Sequence, residues 1–473
     1  MTVVDLGIAR AEGFTRPEHL KRYTTHGMGT DQGRTGGITG LAVMAARSGR
    51  DIADLGTTTF RPPWTPVAIG ALAGGRGGRR FRPERRLPTH DAALALGAEM
   101  TEAGAWLRPA RFARPGETDA RTACAREVGH VRNAVGLCDL SSLGAVDLQG
   151  PDAGRFLARV LAGRGDGPEP GRARHALLLR EDGFILDDGI LACLGPGHHR
   201  LTTSSARAEE VLRHLEFCHQ VLWPELDLRL GPVTGLEACL AIAGPRARAL
   251  LAGLVAEDIT DAALPPMGVM PVTLAGGIAA RLLRVSFTGE LGFELSLPAH
   301  CADSLFAALA AGADRLGGGP FGLDALEVLR IEKGRPAGPE MNGRTTARDC
   351  GFAVRPASGG DHVGRVMAAR PGLVRDREEL VGILSDRAGA RLRAGARLVE
   401  PGAPARAGSD LGHITSACFS PTLGRWIALA FLRDGRARIG ARLRTADPLR
   451  GDAAPVRVVH PVFVDPRGDR QHG

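Results

Sequence analysis

The sequence predicts an α+β fold made of two similar βα subdomains, a small β-rich C-terminal domain, and a helical and extended opening segment. Three observations predict it. The unit VDLQGPDAGRFLARVL reads as strand, turn and helix, and CLAIAGPRARALLAGLV at 239–255 repeats it with the same Gly-Pro junction. Beyond residue 373 the pattern changes to short apolar runs separated by Gly, Pro and Asp, the spacing of a small barrel or sandwich. The first 86 residues contain a helical pattern, a proline-bearing strip and a Gly/Arg run, and no cysteine.

In order along the chain, Thr30 and Asp31 stand as helix caps before an apolar-periodic helix around Leu41 to Ala46. TTTFRPPWTPVAIG must then be extended, because prolines 62, 63 and 66 remove backbone donors and restrict the residues before them. GGRGGRRFRPERR at 74–86 reads as a solvated linker. GALAGGRGG has neither the spacing nor the βαβ surroundings of a dinucleotide loop and is assigned no nucleotide. Domain boundaries are therefore placed at 1–86, 87–372 and 373–473. In the middle domain valines 128, 131 and 135 fall at helical spacing. Gly150-Pro151 and Gly244-Pro245 stop strands and put proline near a first helical turn, where its missing N–H costs nothing. In the last domain LVGILSD, ARLVEPGAP, HITSACFSP, RWIALAFL, ARLRT and VRVVHPVFV are the strand candidates.

The 473 residues can build large cores and carry a modest formal charge of +8, with only Lys21 and Lys333 as lysines. The arginines are scattered and have few aromatics among them, which excludes a nucleic-acid surface. Eight cysteines show no CxxC or zinc spacing, so reduced, mostly buried thiols and no metal site are expected. The start lacks a basic region followed by an apolar core, and no apolar run approaches about 18 residues. A soluble, cytoplasmic protein without membrane contact is the expectation.

Two segments place carboxylates where burial is expected. Asp187 and Asp188 lie within LLLREDGFILDDGILACL. An ionised carboxylate out of water is costly unless paired, so such groups have raised pKa values. In a strand the two side chains point to opposite faces and cannot share a proton, leaving one for chemistry and one for structure. A twisted strand end, with one aspartate capping a turn and the other in water, fits the segment as well. In RVSFTGELGFELSLP the TGELG centre reads as a turn, after which Phe293, Leu295 and Leu297 share one face while Glu294 and Ser296 share the other. Glu294 could accept two parallel N–H bonds, as offered by a guanidinium or a 2-aminopyrimidine ring, or be an exposed strand glutamate. The charged residues of the helix GLDALEVLRIEKG are expected at the surface, and His198 and His199 are expected exposed in the turn GPGHHR.

HLKRYTTHGMGTDQG, TTTFRPPWTPVAIGALAG, VGLCDLSSLGAVDLQGPDA, GFILDDGILACL, FTGELGFE, LRIEKG, GHITSACFSPTLG and PVFVDPRGDRQHG resemble, in order, the C-terminal half of the alpha subunit of heterotetrameric sarcosine oxidase. From about residue 87 the likeness extends to the folate-binding module shared by the glycine cleavage T protein (aminomethyltransferase) and dimethylglycine oxidases. The resemblance implies a three-lobed cloverleaf around a folate channel. It implies Asp188 as the acid-base and orienting group, Glu294 as the pterin-binding carboxylate, Phe287 as a ring beside the pterin, and Asp187 as a neighbour in the cofactor site. Where the T protein has an arginine in the later helix this chain has Leu326, which speaks for the oxidase branch. Relatives with iron-sulfur cysteines near GMGxxQG differ from this chain, which has Thr30 and Asp31 there and no cysteine nearby.

The function implied is one-carbon transfer. The imine from oxidation of sarcosine or a related N-methyl amine reacts with tetrahydrofolate to give 5,10-methylenetetrahydrofolate and glycine. Flavin (FAD or FMN) and NAD are expected only on partner chains, a flavin-containing beta-type subunit and a dinucleotide-binding protein. The alternatives are a stand-alone aminomethyltransferase and a non-catalytic folate-binding or assembly subunit.

Overall fold

The computed structural model describes residues 1–62, 64–76, 84–117, 119–163, 167–352, 361–387 and 389–472. Most of the linker reading at 74–86 lies outside the described residues. The chain divides into two compact units, Met1–Glu84 and Arg85–Gly473.

The first unit packs helices Val3–Ala11, Pro17–Tyr23, Gly36–Ser48 and Ile52–Leu55 around Leu6, Ala9, Leu20, Met44 and Leu55. Thr2 and Asp5 close the first helix with a reciprocal capping box. The caps predicted at Thr30 and Asp31 need correcting, because the third helix begins only at Gly36. Asp31 instead accepts the Thr35 hydroxyl and the amides of Thr35, Gly36 and Gly33, which hold its carboxyl well below the usual range and shape the turn leading into the helix.

Among its described residues the second unit contains two six-stranded sheets, a closed six-stranded barrel and a small three-stranded sheet. In the first large sheet, Gly144–Gln149 lies between Arg229–Pro232 and His198–Thr203, followed by Ile185–Gly195, Ala173–Leu179 and Leu161–Ala162. In the second, the order is Val269–Leu274, Ile278–Arg284, Gly292–Pro298, Glu237–Ala243, Gly136–Asp139 and Gly319–Pro320. Each sheet has its own core: Leu148, Phe156, Leu178 and Leu201 in the first, and Leu240, Leu282, Phe293 and Phe306 in the second.

The sequence repeat is a structural repeat. Strand Gly144–Gln149 leads to helix Ala153–Val160, and strand Glu237–Ala243 to helix Ala247–Ala252. At the junctions Gly150 and Gly244 have φ of 146° and 133°. A Cβ on Gly244 would sit 2.5 Å from the Ala134 carbonyl oxygen, so only glycine allows the backbones to approach this closely. Pro151 and Pro245 fall one residue before the helix caps at Asp152 and Arg246, slightly earlier than the first turn where the sequence placed them.

The barrel runs in the order Glu378–Ser385, Arg425–Arg433, Gly412–Ser420, Arg397–Val399, Arg442–Ala446 and Pro455–Val459. Closure removes the unpaired edges a sandwich would leave. The last strand stops at Val459, short of the VFV run beyond Pro461. Helix Leu323–Glu332 packs with Val128, Ile427, Leu429 and Phe431 in the core joining the lobes to the barrel. Among the described residues no helix is long and apolar enough to cross a membrane.

Candidate active site

A cavity of about 660 Å³ opens where the two large sheets face each other. Asp187 and Asp188 come from the first sheet, Glu294 from the second, Phe287 from the loop before strand Gly292–Pro298, and Arg335 from the segment after helix Leu323–Glu332. The structure thus brings the four sequence-predicted residues to one cavity.

The two aspartates diverge as successive strand residues must. Asp187 is 2% exposed and accepts the Ser204 amide at 2.9 Å, at the end of the neighbouring strand. Burial pushes its carboxyl up to about 6, against the pull of that amide. Asp188 opens further to the cavity, and its Oδ2 lies 2.7 Å from His175 Nε2. His175 precedes Leu177, the cross-strand partner of Asp188, by two residues, so it is the diagonal neighbour on the same face. Its ring stacks on Phe352, with centroids 5.2 Å apart.

Strand Gly292–Pro298 alternates as its sequence demands: Phe293, Leu295 and Leu297 are buried in the core, and Glu294 and Ser296 lie on the other face. Glu294 keeps some exposed surface because the cavity opens onto it, but its other sides are enclosed. Burial raises its carboxyl to about 7, with Arg335 pulling the other way. Among the described residues its side chain makes no hydrogen bond, so a largely enclosed carboxyl faces the cavity with its acceptor positions open to a ligand.

Phe287 lies beside the Arg335 guanidinium, whose carbon is 5.2 Å from the ring centroid. Sequence reasoning missed Arg335. The helix ends at Lys333-Gly334 as the sequence predicts, and Gly334 with φ 71° turns the chain so that the next residue enters the cavity. The only sequence signal is that a cation follows this turn. His175 was missed as well; its position two residues before the partner of Asp188 becomes visible only once the hairpin register is known.

Two expectations about charge are overturned. Arg330 and Glu332, expected at the surface, are 1% and 0% exposed. Arg330 pairs with Glu340 at 2.8 Å and donates to Ser416, while Glu332 pairs with Arg132 at 2.6 Å and accepts from Ser420. Arg132 also binds Glu290, so the carboxylate inside the TGE turn is taken up by the framework, whereas Glu294 four residues later faces the cavity. His198 and His199 belong to a strand, not a turn, and His199 is buried, because the hairpin reverses within Gly195–Gly197. All eight cysteines are free thiols.

Comparison with known proteins agrees with this architecture. The GCVT N-terminal domain profile matches residues 89–355, the glycine cleavage T-protein C-terminal barrel domain matches 379–465, and the sarcosine oxidase A3 domain matches 1–76. The sarcosine oxidase subunit alpha of Rhizobium meliloti is 43% identical over 99% of this chain, which covers 48% of that protein. The chain thus spans about half the length of the alpha subunits it matches. An aminomethyltransferase of Streptomyces coelicolor is 34% identical over 77% of this chain and 93% of its own length. The crystal structure of the glycine cleavage system aminomethyltransferase T from Bartonella henselae superposes with a TM-score of 0.66 at 26% identity, covering 80% of this chain and 98% of that one. With two facing lobes and a closed barrel, and with matches over most of its length, this chain belongs to the aminomethyltransferase (glycine cleavage T-protein) enzyme family, as a homologue of sarcosine oxidase alpha subunits.

Proposed function

We propose that this chain carries out folate-dependent one-carbon transfer for a sarcosine oxidase-type complex. It takes the imine formed from sarcosine, or from a related N-methyl amine, and joins its methylene carbon to tetrahydrofolate, releasing glycine and 5,10-methylenetetrahydrofolate. The observation that carries the reading is Glu294, a largely enclosed carboxyl that has no hydrogen-bond partner among the described residues and faces a cavity shared with Asp188. A pterin edge presents the paired N–H groups such a carboxylate accepts. When bound, tetrahydrofolate supplies the nucleophilic nitrogens for the one-carbon unit.

The chain's own residues do the rest. Glu294 orients the pterin edge and Phe287 contributes an apolar wall beside it. Asp188, whose Oδ2 His175 holds in place, favours a cationic methylene-nitrogen centre electrostatically, takes up the proton lost by the attacking folate nitrogen and returns it to the amine of the departing glycine. Asp187, tied to the Ser204 amide, fixes the strand end that presents Asp188. The enclosing walls limit hydrolysis of the imine to formaldehyde. Flavin and NAD belong to partner chains in this reading, a flavin-bearing beta-type subunit and a dinucleotide-binding protein, and eight free thiols suit a cytoplasmic setting.

The match over nearly the whole Streptomyces aminomethyltransferase favours a second reading, transfer from a lipoyl carrier protein. The segment matching the sarcosine oxidase A3 domain, and Leu326 in the cavity wall, favour the first. The test is turnover of the chain with a flavin-bearing partner, sarcosine and tetrahydrofolate. Methylenetetrahydrofolate without free formaldehyde is expected. Formaldehyde alone, or product only from an aminomethyl-lipoyl carrier, would reject the first reading.

A further inference from the structure

We propose that Arg335 forms a carboxylate-binding subsite on the cavity wall, which holds the α-carboxylate of the amino-acid-derived one-carbon donor and of the glycine that leaves. The inference rests on the function proposed above and adds a recognition group to it.

Three buried arginines of the framework show how this one differs, while Arg108, on another wall of the same cavity, also lacks an ion pair among the described residues but donates to the Asp139 carbonyl. Arg132 is held by Glu290 and Glu332, Arg330 by Glu327 and Glu340, and Arg200 by Asp147 and Glu237. Each is saturated by two carboxylates, the usual condition for taking a guanidinium out of water. Arg335 is half-buried where the cavity opens onto it and forms no ion pair among the described residues. Its side chain makes one long hydrogen bond, from Nη2 to the Ser286 carbonyl at 3.4 Å, and rests on the Phe287 ring. Asp188 and Glu294 act on it through space from the neighbouring walls without closing on it. A five-donor planar fork is therefore directed at an open cavity with nearly all its donors unused, and a carboxylate is the partner that matches the fork with two parallel bonds.

Position selects which carboxylate. With a pterin held at Glu294, the rigid aminobenzoyl spacer of a folate carries its glutamate carboxylates away from this end of the cavity. The amino-acid fragment is left as the occupant. Its charges match the walls, with the cationic nitrogen toward Asp188 and the carboxylate toward Arg335.

The test uses the full chain and NMR-detected titration with isotope-labelled glycine and with glycinamide, which lacks the carboxylate, in the presence and absence of tetrahydrofolate. Wild type is expected to bind glycine and discriminate against glycinamide. Arg335→Gln should weaken glycine binding about tenfold or more and abolish the discrimination, with a smaller loss of tetrahydrofolate affinity because Arg335 also draws Glu294 toward its ionised form. Arg335→Lys keeps the charge, guards against misfolding of the Gln variant, and should retain part of the discrimination. Equal binding of glycine and glycinamide by wild type, unaltered glycine binding in Arg335→Gln, or a loss confined to tetrahydrofolate would overturn the proposal. Arg335-dependent glycine binding by a chain that binds no tetrahydrofolate would reject the function proposed above and leave the subsite standing.

Discussion

Replacing Glu294 with glutamine should stabilise the ligand-free protein, and by an amount that depends on pH. Burial raises this carboxyl from its ordinary 4.5 to about 7, which amounts to about 3 kcal/mol of penalty on the ionised form. The sign follows from linkage. The folded pKa lies above the unfolded one, so the folded chain binds the proton more tightly. The stability this confers is fully present below pH 4.5 and is lost as pH rises through about 7. Glutamine has no such titration, and because Glu294 has no hydrogen-bond partner the substitution strands no other group. The Glu294→Gln protein should match wild type near pH 4 and exceed it by up to about 3 kcal/mol at pH 8. Urea unfolding of both proteins across that range, followed by tryptophan fluorescence, measures the difference. Parallel curves, or a variant less stable at pH 8, would refute the account of Glu294 as a buried acceptor kept for a ligand. The same variant should bind tetrahydrofolate more weakly, so that stability and binding move in opposite directions.

Three further outcomes follow from the site and its frame. Asp188→Asn should reduce methylenetetrahydrofolate formation by about 10²- to 10⁴-fold without changing the urea midpoint, whereas Asp187→Asn should be milder in turnover assays; equal losses would reject the division of roles. Glu332→Ala leaves Arg132 buried with a single carboxylate and should cost about 3–5 kcal/mol in urea unfolding. Gly244→Ala forces a Cβ against the Ala134 carbonyl at φ 133° and should cost about 2–4 kcal/mol by the same measurement.

Much of this arrangement was legible in the sequence where short-range rules govern it. The Gly-Pro junctions identified the repeat because a strand stop and a helix start are local events. The two-residue period put Glu294 opposite a buried face, and the adjacency of Asp187 and Asp188 alone implied their divergence. What could not be read locally depended on partners far away in the chain. Arg330 and Glu332 look like the polar side of an amphipathic helix, and only residues 132, 340, 416 and 420 make them interior. His199 depended on how few residues the hairpin uses to reverse. Arg335 lies past a helix end, where no periodicity applies, and its importance comes from its forming no ion pair among the described residues.

The internal repeat has a consequence for stoichiometry. Counting back three residues from each junction glycine reaches Ala241 in one lobe, paired with Glu294, and Asp147 in the other, paired with Arg200. The counterpart of Glu294 is thus a cation, already occupied by Asp147 and Glu237. At this position a scaffold built twice from one plan keeps a cavity-facing acid in one copy, and in the other the equivalent position is closed by its own ion pairs. The two halves are not interchangeable binding units, and the protein should take up one folate per chain.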